Sequence, residues 1–424
     1  MNLREFPALD ERYYETTLPN GLRLRVIPKP GFSRKFAVFA VDYGSIDTRF
    51  HRDGQTIVTP DGVAHYLEHK MFDMPYGDAM NRFAAFSGSP NAFTTYSLTA
   101  YFVECTEQFR ENLRTLLEFV STPYFTEKSV EKERGIIEQE IRMYEDSADS
   151  RIYENLFRAM YREHPVRVPI AGTVASIQDI SAEVLEQCHR GFYAPSNAML
   201  CVEGDVDPAE VEALAREILP HERTEIAARD YGAAEPPQPE HSRVEDVMEV
   251  AMPSFVAGFK RQPPQPGEDA MRAEFIGDLT ADLLLSASAP LYTELYEKGF
   301  IDNSFSAGYE GLKGVSMFSA GGDSRCPERV LEAILTEAER VAREGVDRAR
   351  FQNLKKAALG RKMRELDSFE STCIRMCEYG FDGMDYLEFD RVFRSITEED
   401  VMAFLRETIR PEQCCISVLY PKKQ

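Results

Sequence analysis

Apolar and polar positions alternate through the stretch NGLRLRVIPKP, where Leu22, Leu24 and Val26 interleave with Arg23 and Arg25 before two prolines end the run. That period of two predicts a strand. FAVFAVDYGSID follows as an unbroken apolar run, which predicts a strand buried on both faces. NAFTTYSLTAYFVECT, rich in Thr, Tyr and Phe, predicts a long strand or a hairpin. The period then changes to that of a helix over Gln108 to Val120 and again from Lys128 to about Tyr144. NAMLCVEGDVD returns to a strand, and PAEVEALAREIL predicts a helix begun by Pro208.

Between His221 and His241 the texture changes to HERTEIAARDYGAAEPPQPEH, polar and proline-bearing with no sustained period, which predicts a linker. Beyond it the first half is repeated. SIQDISAEVLEQCHRGFYAPSNAMLCVEGD from Ser176 has a counterpart in SITEEDVMAFLRETIRPEQCCISVLYP from Ser395. VEKERGIIEQEIRMYEDS likewise matches FQNLKKAALGRKMRELDS, with Asp146-Ser147 falling on Asp367-Ser368. The offset stays near 216 to 221 residues, as two copies of one fold require. The expectation is an α+β protein of two homologous domains of roughly 210 residues: 1–220, a linker at 221–245, and 246–424.

Composition narrows the class. With 43% hydrophobic and 28% charged residues, the chain has a globular composition, and no apolar run approaches the ~18 residues of a membrane span. The first residues, MNLREFPALDERYYETTLPNG, carry no apolar stretch of the secretory kind, so a cytoplasmic setting is expected. A net charge of −22 disfavours nucleic acid and anionic lipid as partners. Beside a catalytic cavity such a surface could draw in cationic peptides. The eight cysteines form no C-x-x-C pair and are expected as reduced, mostly buried thiols.

Candidate chemistry concentrates in GVAHYLEHKMF, residues 62–72. On a helix, His65 and His69 are one turn apart and can aim ring nitrogens at one point, with Glu68 leaning the same way. This H-x-x-E-H order reverses the commoner zinc helix H-E-x-x-H. A zinc site needs a third protein ligand. The helix SVEKERGIIEQEIRMYED carries Glu131, Glu133, Glu138, Glu140 and Glu145, of which Glu133 and Glu140 lie seven apart and share a face. On spacing alone, this helix is either the source of the third ligand or a charged surface helix.

LPNGLRLRVIPKP, HYLEH, NAFT, EKERGIIEQEI, HPVRVPIAGTVASIQDIS and YAPSNAMLCVEGDVD together resemble the M16 (pitrilysin, or insulinase-like) metallopeptidases. Within that family the chain is similar to the half-length group that includes mitochondrial processing peptidase and paired bacterial peptidases. The resemblance implies a duplicated LuxS/MPP-like metallohydrolase fold. It also implies one Zn2+ per chain held by His65, His69 and Glu140. By the same resemblance Glu133 is a supporting acid, and the segment at Asn91-Ala92 lies where an extended peptide adds to a sheet edge. Glu68 is then the base that takes a proton from the attacking water and returns it to the leaving amine.

The second half departs from the family pattern. Arg361 stands where Glu140 stands in the first copy, and no histidine follows His241. Active members carry an Arg and a Tyr seven apart in a run like L-R-E-K-x-G-L-x-Y. Here the run is PLYTELYEKGFIDNSFSAGY, with Tyr296 in the Arg position and Asp302 or Asn303 near the Tyr position. The resemblance is therefore to the zinc-bearing member of a heterodimer whose sister chain has the pair; a homodimer would lack it twice. The function expected is a zinc endopeptidase acting on extended or unfolded peptides. The alternatives are a non-catalytic scaffold of a larger complex and a metal-dependent hydrolase of another class.

Overall fold

The computed structural model of the protein describes residues 1–422. The chain gathers into two compact α+β units, and neither is one continuous stretch. The first comprises Met1–Arg142, Pro169–Tyr231 and Met363–Glu388; the second comprises Met143–Val168, Gly232–Lys362 and the residues from Phe389 onward. Among the described residues no helix is long and apolar enough to cross a membrane.

The first unit is built on a seven-stranded sheet. Its strands are β1 (Asn2–Phe6), β2 (Glu11–Thr17), β3 (Arg23–Pro28), β4 (Lys35–Val41), β5 (Ser89–Thr94), β6 (Thr99–Cys105) and β7 (Ala198–Gly204). Their order is β1-β2-β3-β7-β4-β6-β5. Only β3 and β7 run parallel; every other pair is antiparallel. The run FAVFAV becomes β4, buried on both faces as its sequence requires. NAFTTYSLTAYFVECT becomes the β5–β6 hairpin, with β5 at the sheet's edge.

The alternation in β3 has an outcome the pattern did not predict. Leu24 and Val26 enter the core, but Arg23 and Arg25 are covered by the helix Phe369–Phe381 and do not face open solvent. Arg23 Nη1 donates to Gly380 O at 2.5 Å and Arg25 Nη1 to Met376 O at 3.0 Å. These carbonyls lie in the last two turns of the helix, toward the negative end of its dipole. Two arginines therefore tie β3 to the C-terminal part of the helix that covers them.

The second unit carries a five-stranded sheet of β8 (Arg243–Met248), β9 (Ser254–Lys260), β10 (Ser306–Leu312), β11 (Val315–Asp323) and β12 (Cys414–Pro421). Its order, β8-β12-β9-β11-β10, with β8 and β12 parallel and the rest antiparallel, repeats β3-β7-β4-β6-β5 strand for strand. The internal repeat read from the sequence is thus a duplicated sheet. Its matched serines are equivalent too. Ser147 and Ser368 each cap a helix, Ala148–Met160 and Phe369–Phe381, by accepting the N–H of Ser150 and Ser371. The helix after Ser147 packs on β12, β9 and β8, and the helix after Ser368 on β7 and β4. Each sheet is covered by a helix from the opposite half of the sequence.

The polar stretch 221–241 is less loose than its composition predicts. Ala228–Arg229 adds to the strand Arg49–Arg52, and Arg229 and Tyr231 both bond Asp47 Oδ1, at 3.1 and 2.9 Å. Seven of the eight cysteines are buried and Cys326 is partly so, all as free thiols.

Candidate metal centre

The histidine helix runs Val63–Met71 and starts from Gly62, whose φ of +89° is left-handed. A Cβ at Gly62 would also lie 2.3 Å from Ala171 O, so conformation and space both call for glycine there. The helix packs against β5, β6 and the helix Ala182–Phe192. Its neighbours make Val63, Ala64, Tyr66, Leu67 and Met71 core residues. The glutamate helix, Glu127–Glu145, buries Val130, Ile137 and Ile141. Tyr66 joins the two helices by donating its hydroxyl to Val130 O.

This pairing brings Glu140 to His69 and His65, 71 and 75 positions before it in the chain. His65 Nε2 lies 3.5 Å from Glu140 Oε1, and His69 Nε2 lies 3.4 Å from Glu140 Oε2. Among the described residues, His65, His69 and Glu140 are the one group of three whose ligand atoms all lie within 4.8 Å of one another. Tetrahedral zinc with bonds of about 2.0–2.2 Å sets neighbouring ligand atoms about 3.3–3.5 Å apart. The two short separations match that edge, and two imidazoles with a carboxylate are a donor set zinc takes.

Glu133 lies behind His69, its Oε1 3.1 Å from Nδ1. An ionised carboxylate only accepts, so Nδ1 carries a proton toward Glu133, and Nε2 is the nitrogen turned to Glu140. Without a cation, burial works to lower the His69 pKa. The hydrogen bonds to Glu133 and Glu140, with the charge of Glu68, override it and raise the ring to about 10. A divalent ion bound at Nε2 would take the place of a proton there. Glu68 is buried at 8% exposure, and burial pushes its carboxyl above the usual range against the pull of His65, Thr94 and His69. Three carboxylates around two imidazoles leave an excess of negative charge suited to a divalent cation.

The remaining candidates are placed as follows. Asn91 and Ala92 lie on the edge strand β5, paired on one side to Phe102 and Tyr101 of β6. The Ala92 N–H is taken by Asn91 Oδ1 at 2.9 Å. In the second unit Arg361 is ion-paired with Asp282. Tyr296 is exposed, whereas Tyr309 is buried with its hydroxyl 2.8 Å from Ser316 Oγ. Thr94 carries no local signal in the sequence beyond its place in NAFT, yet its hydroxyl donates to Glu68 Oε2 at 2.8 Å. No spacing rule links residues 26 apart on a strand and a helix.

Residues 58–174 match the family description Insulinase (Peptidase family M16), and residues 179–358 match Peptidase M16 inactive domain. YmfH of Bacillus subtilis, named an uncharacterized zinc protease, is 37% identical over 99% of both chains. An M16-like peptidase from Alicyclobacillus acidocaldarius shares 33% identity over 99% of this chain and 100% of its own, with a TM-score of 0.93. A protease from Helicobacter pylori, 20% identical over 97% of this chain and 100% of its own, shares the fold at a TM-score of 0.83. With both family domains in order and a relative matched from end to end, the chain belongs to the insulinase family of peptidases, M16.

Proposed function

We propose that this chain is a zinc-dependent endopeptidase that cleaves extended or unfolded peptides, working with a half-length sister chain that bears an Arg/Tyr pair. The observation that carries the reading is the convergence of His65, His69 and Glu140 with Glu68 beside them. Bound there, zinc supplies a Lewis acid for the scissile carbonyl and brings the pKa of water toward neutrality.

The chain's own residues supply the rest. Glu68 takes the proton of the attacking water and delivers it to the leaving amine, and its partly desolvated carboxyl suits both tasks. Glu133 orients His69 through Nδ1. The edge of β5 offers main-chain groups to an extended peptide at Asn91-Ala92, which selects unfolded segments over folded proteins. The sister chain enters because Tyr296 stands in the family's Arg position and Tyr309 is engaged with Ser316, so neither group of the pair has an evident substitute. Arg and Tyr donors at a developing oxyanion are worth ~2.7–4 kcal/mol each in comparable sites.

The test is cleavage of quenched peptides at equal zinc by the chain alone and by the chain mixed with a half-length relative carrying the Arg/Tyr run. Poor turnover alone and robust turnover with the relative is expected. Glu68→Gln should keep zinc and peptide binding and lose at least ~10²-fold in rate. Stoichiometric zinc with no cleavage in either setting would replace this reading by the scaffold one.

A further inference from the structure

Glu68 is held from behind by a threonine hydroxyl. Thr94, the last residue of β5, pairs across the sheet with Thr99, the first of β6. Thr99 is fully buried, and its Oγ1 donates to Tyr43 O at 2.8 Å. Tyr43 is itself immobilised, fully buried and stacked on Phe192 at 4.4 Å. Thr94 Oγ1 lies 3.5 Å from Thr99 Oγ1 and 2.8 Å from Glu68 Oε2. Thr99 gives its one proton to the Tyr43 carbonyl, so it does not donate to Thr94. Of the two acceptors within reach of the Thr94 hydroxyl, Glu68 Oε2 is much the nearer, and Thr94 donates to it.

This has a consequence for a general base. The terminal torsion of a glutamate is broad, so a carboxylate left to itself samples a range of planes. A donor fixed on one oxygen by the sheet narrows that range and leaves the other oxygen to take a proton from water. We propose that Thr94 is a positioning residue that fixes the carboxylate plane of Glu68, so that NAFT contributes its threonine side chain to the chemistry as well as a strand edge. The proposal rests on the peptidase reading, in which Glu68 is the base.

Thr94→Val keeps the β-branched shape and the strand preference while removing the hydroxyl, and Thr94→Ser restores the hydroxyl without the methyl. On zinc-loaded protein, with whatever sister chain the parent requires, Thr94→Val should lower kcat about 10- to 100-fold, the scale of a hydrogen bond to a charged group. KM and zinc content should stay at parental values, and Thr94→Ser should recover kcat to within about threefold. A second readout needs no turnover: crystal structures of the metal-free parent and of Thr94→Val. The parent should show one Glu68 carboxylate orientation and the valine variant more than one. Parental kcat in Thr94→Val, or failure of serine to rescue, would overturn the proposal. A parent that cleaves no peptide even with its sister chain would sink the peptidase reading instead. The crystallographic comparison would then decide the positioning role: an unchanged Glu68 in Thr94→Val refutes it.

Discussion

Replacing Glu203 by glutamine should stabilise the protein increasingly as pH rises. Glu203 lies on β7 at 0% exposure. Its nearest cation is Lys29, 3.6 Å from Oε1, but Lys29 is shared with Glu11, which it meets at 2.5 Å. The other oxygen has only the Cys373 thiol, at 3.8 Å. Burial, set against the pull of Lys29 and aided by the charge of Glu11, raises the carboxyl from 4.5 to about 8. Below its unfolded-state pKa the group is protonated in both states and costs nothing. As pH rises, the unfolded chain gives up this proton and the folded chain retains it until about 8. Stability from this group is therefore lost across that window at about 1.4 kcal/mol per pH unit, with a ceiling of about 5 kcal/mol. Glu203→Gln removes the titration. The assay is the difference in thermal unfolding midpoint between Glu203→Gln and parent, measured from about pH 5 to about pH 9. The offset at the acid end reports the cost of the amide itself, and the variant should gain on the parent steadily above it. A difference that stays flat across the range, or one that favours the parent at alkaline pH, would show that Glu203 is already ionised in the folded protein.

Further outcomes follow from the metal centre. His65→Ala and Glu140→Gln should each lose stoichiometric zinc by elemental analysis while keeping the parent's circular dichroism, because Tyr66 and the apolar residues hold the two helices together without them. Full zinc in both variants would mean the ligands lie elsewhere. Glu133→Ala should weaken zinc about 10- to 100-fold in a chelator competition, the usual cost of removing a carboxylate that orients a histidine ligand. Glu133→Gln should fall in between, since its amide oxygen can still accept from His69 Nδ1. An alanine variant with parental affinity would reduce Glu133 to surface charge.

How much of this was legible beforehand depends on the distance in sequence over which each feature is decided. The helix Val63–Met71 and the shared face of His65 and His69 follow from a 3.6-residue period acting within five positions. The same period puts Glu133 and Glu140 on one side of their own helix. Strands β3, β4 and β7 were likewise readable, because alternation or an unbroken apolar run is a local property. The duplication was readable too, since a constant offset needs no knowledge of contacts and reappears as one strand order in both sheets.

The chain alone did not decide between a third ligand and a charged surface helix for Glu140; family resemblance supplied that expectation, and only the packing of two helices puts Glu140 beside His65 and His69. The polar side of β3 has no local answer for the same reason. What Arg23 and Arg25 meet is decided by a helix some 350 residues later, whose carbonyls come within reach of them. Thr94 reaches Glu68 because a sheet edge passes the histidine helix. Periodicity records which way a side chain faces within its own element. What it meets there is set by burial and hydrogen-bond satisfaction between elements, and those terms exist only once the chain has closed on itself.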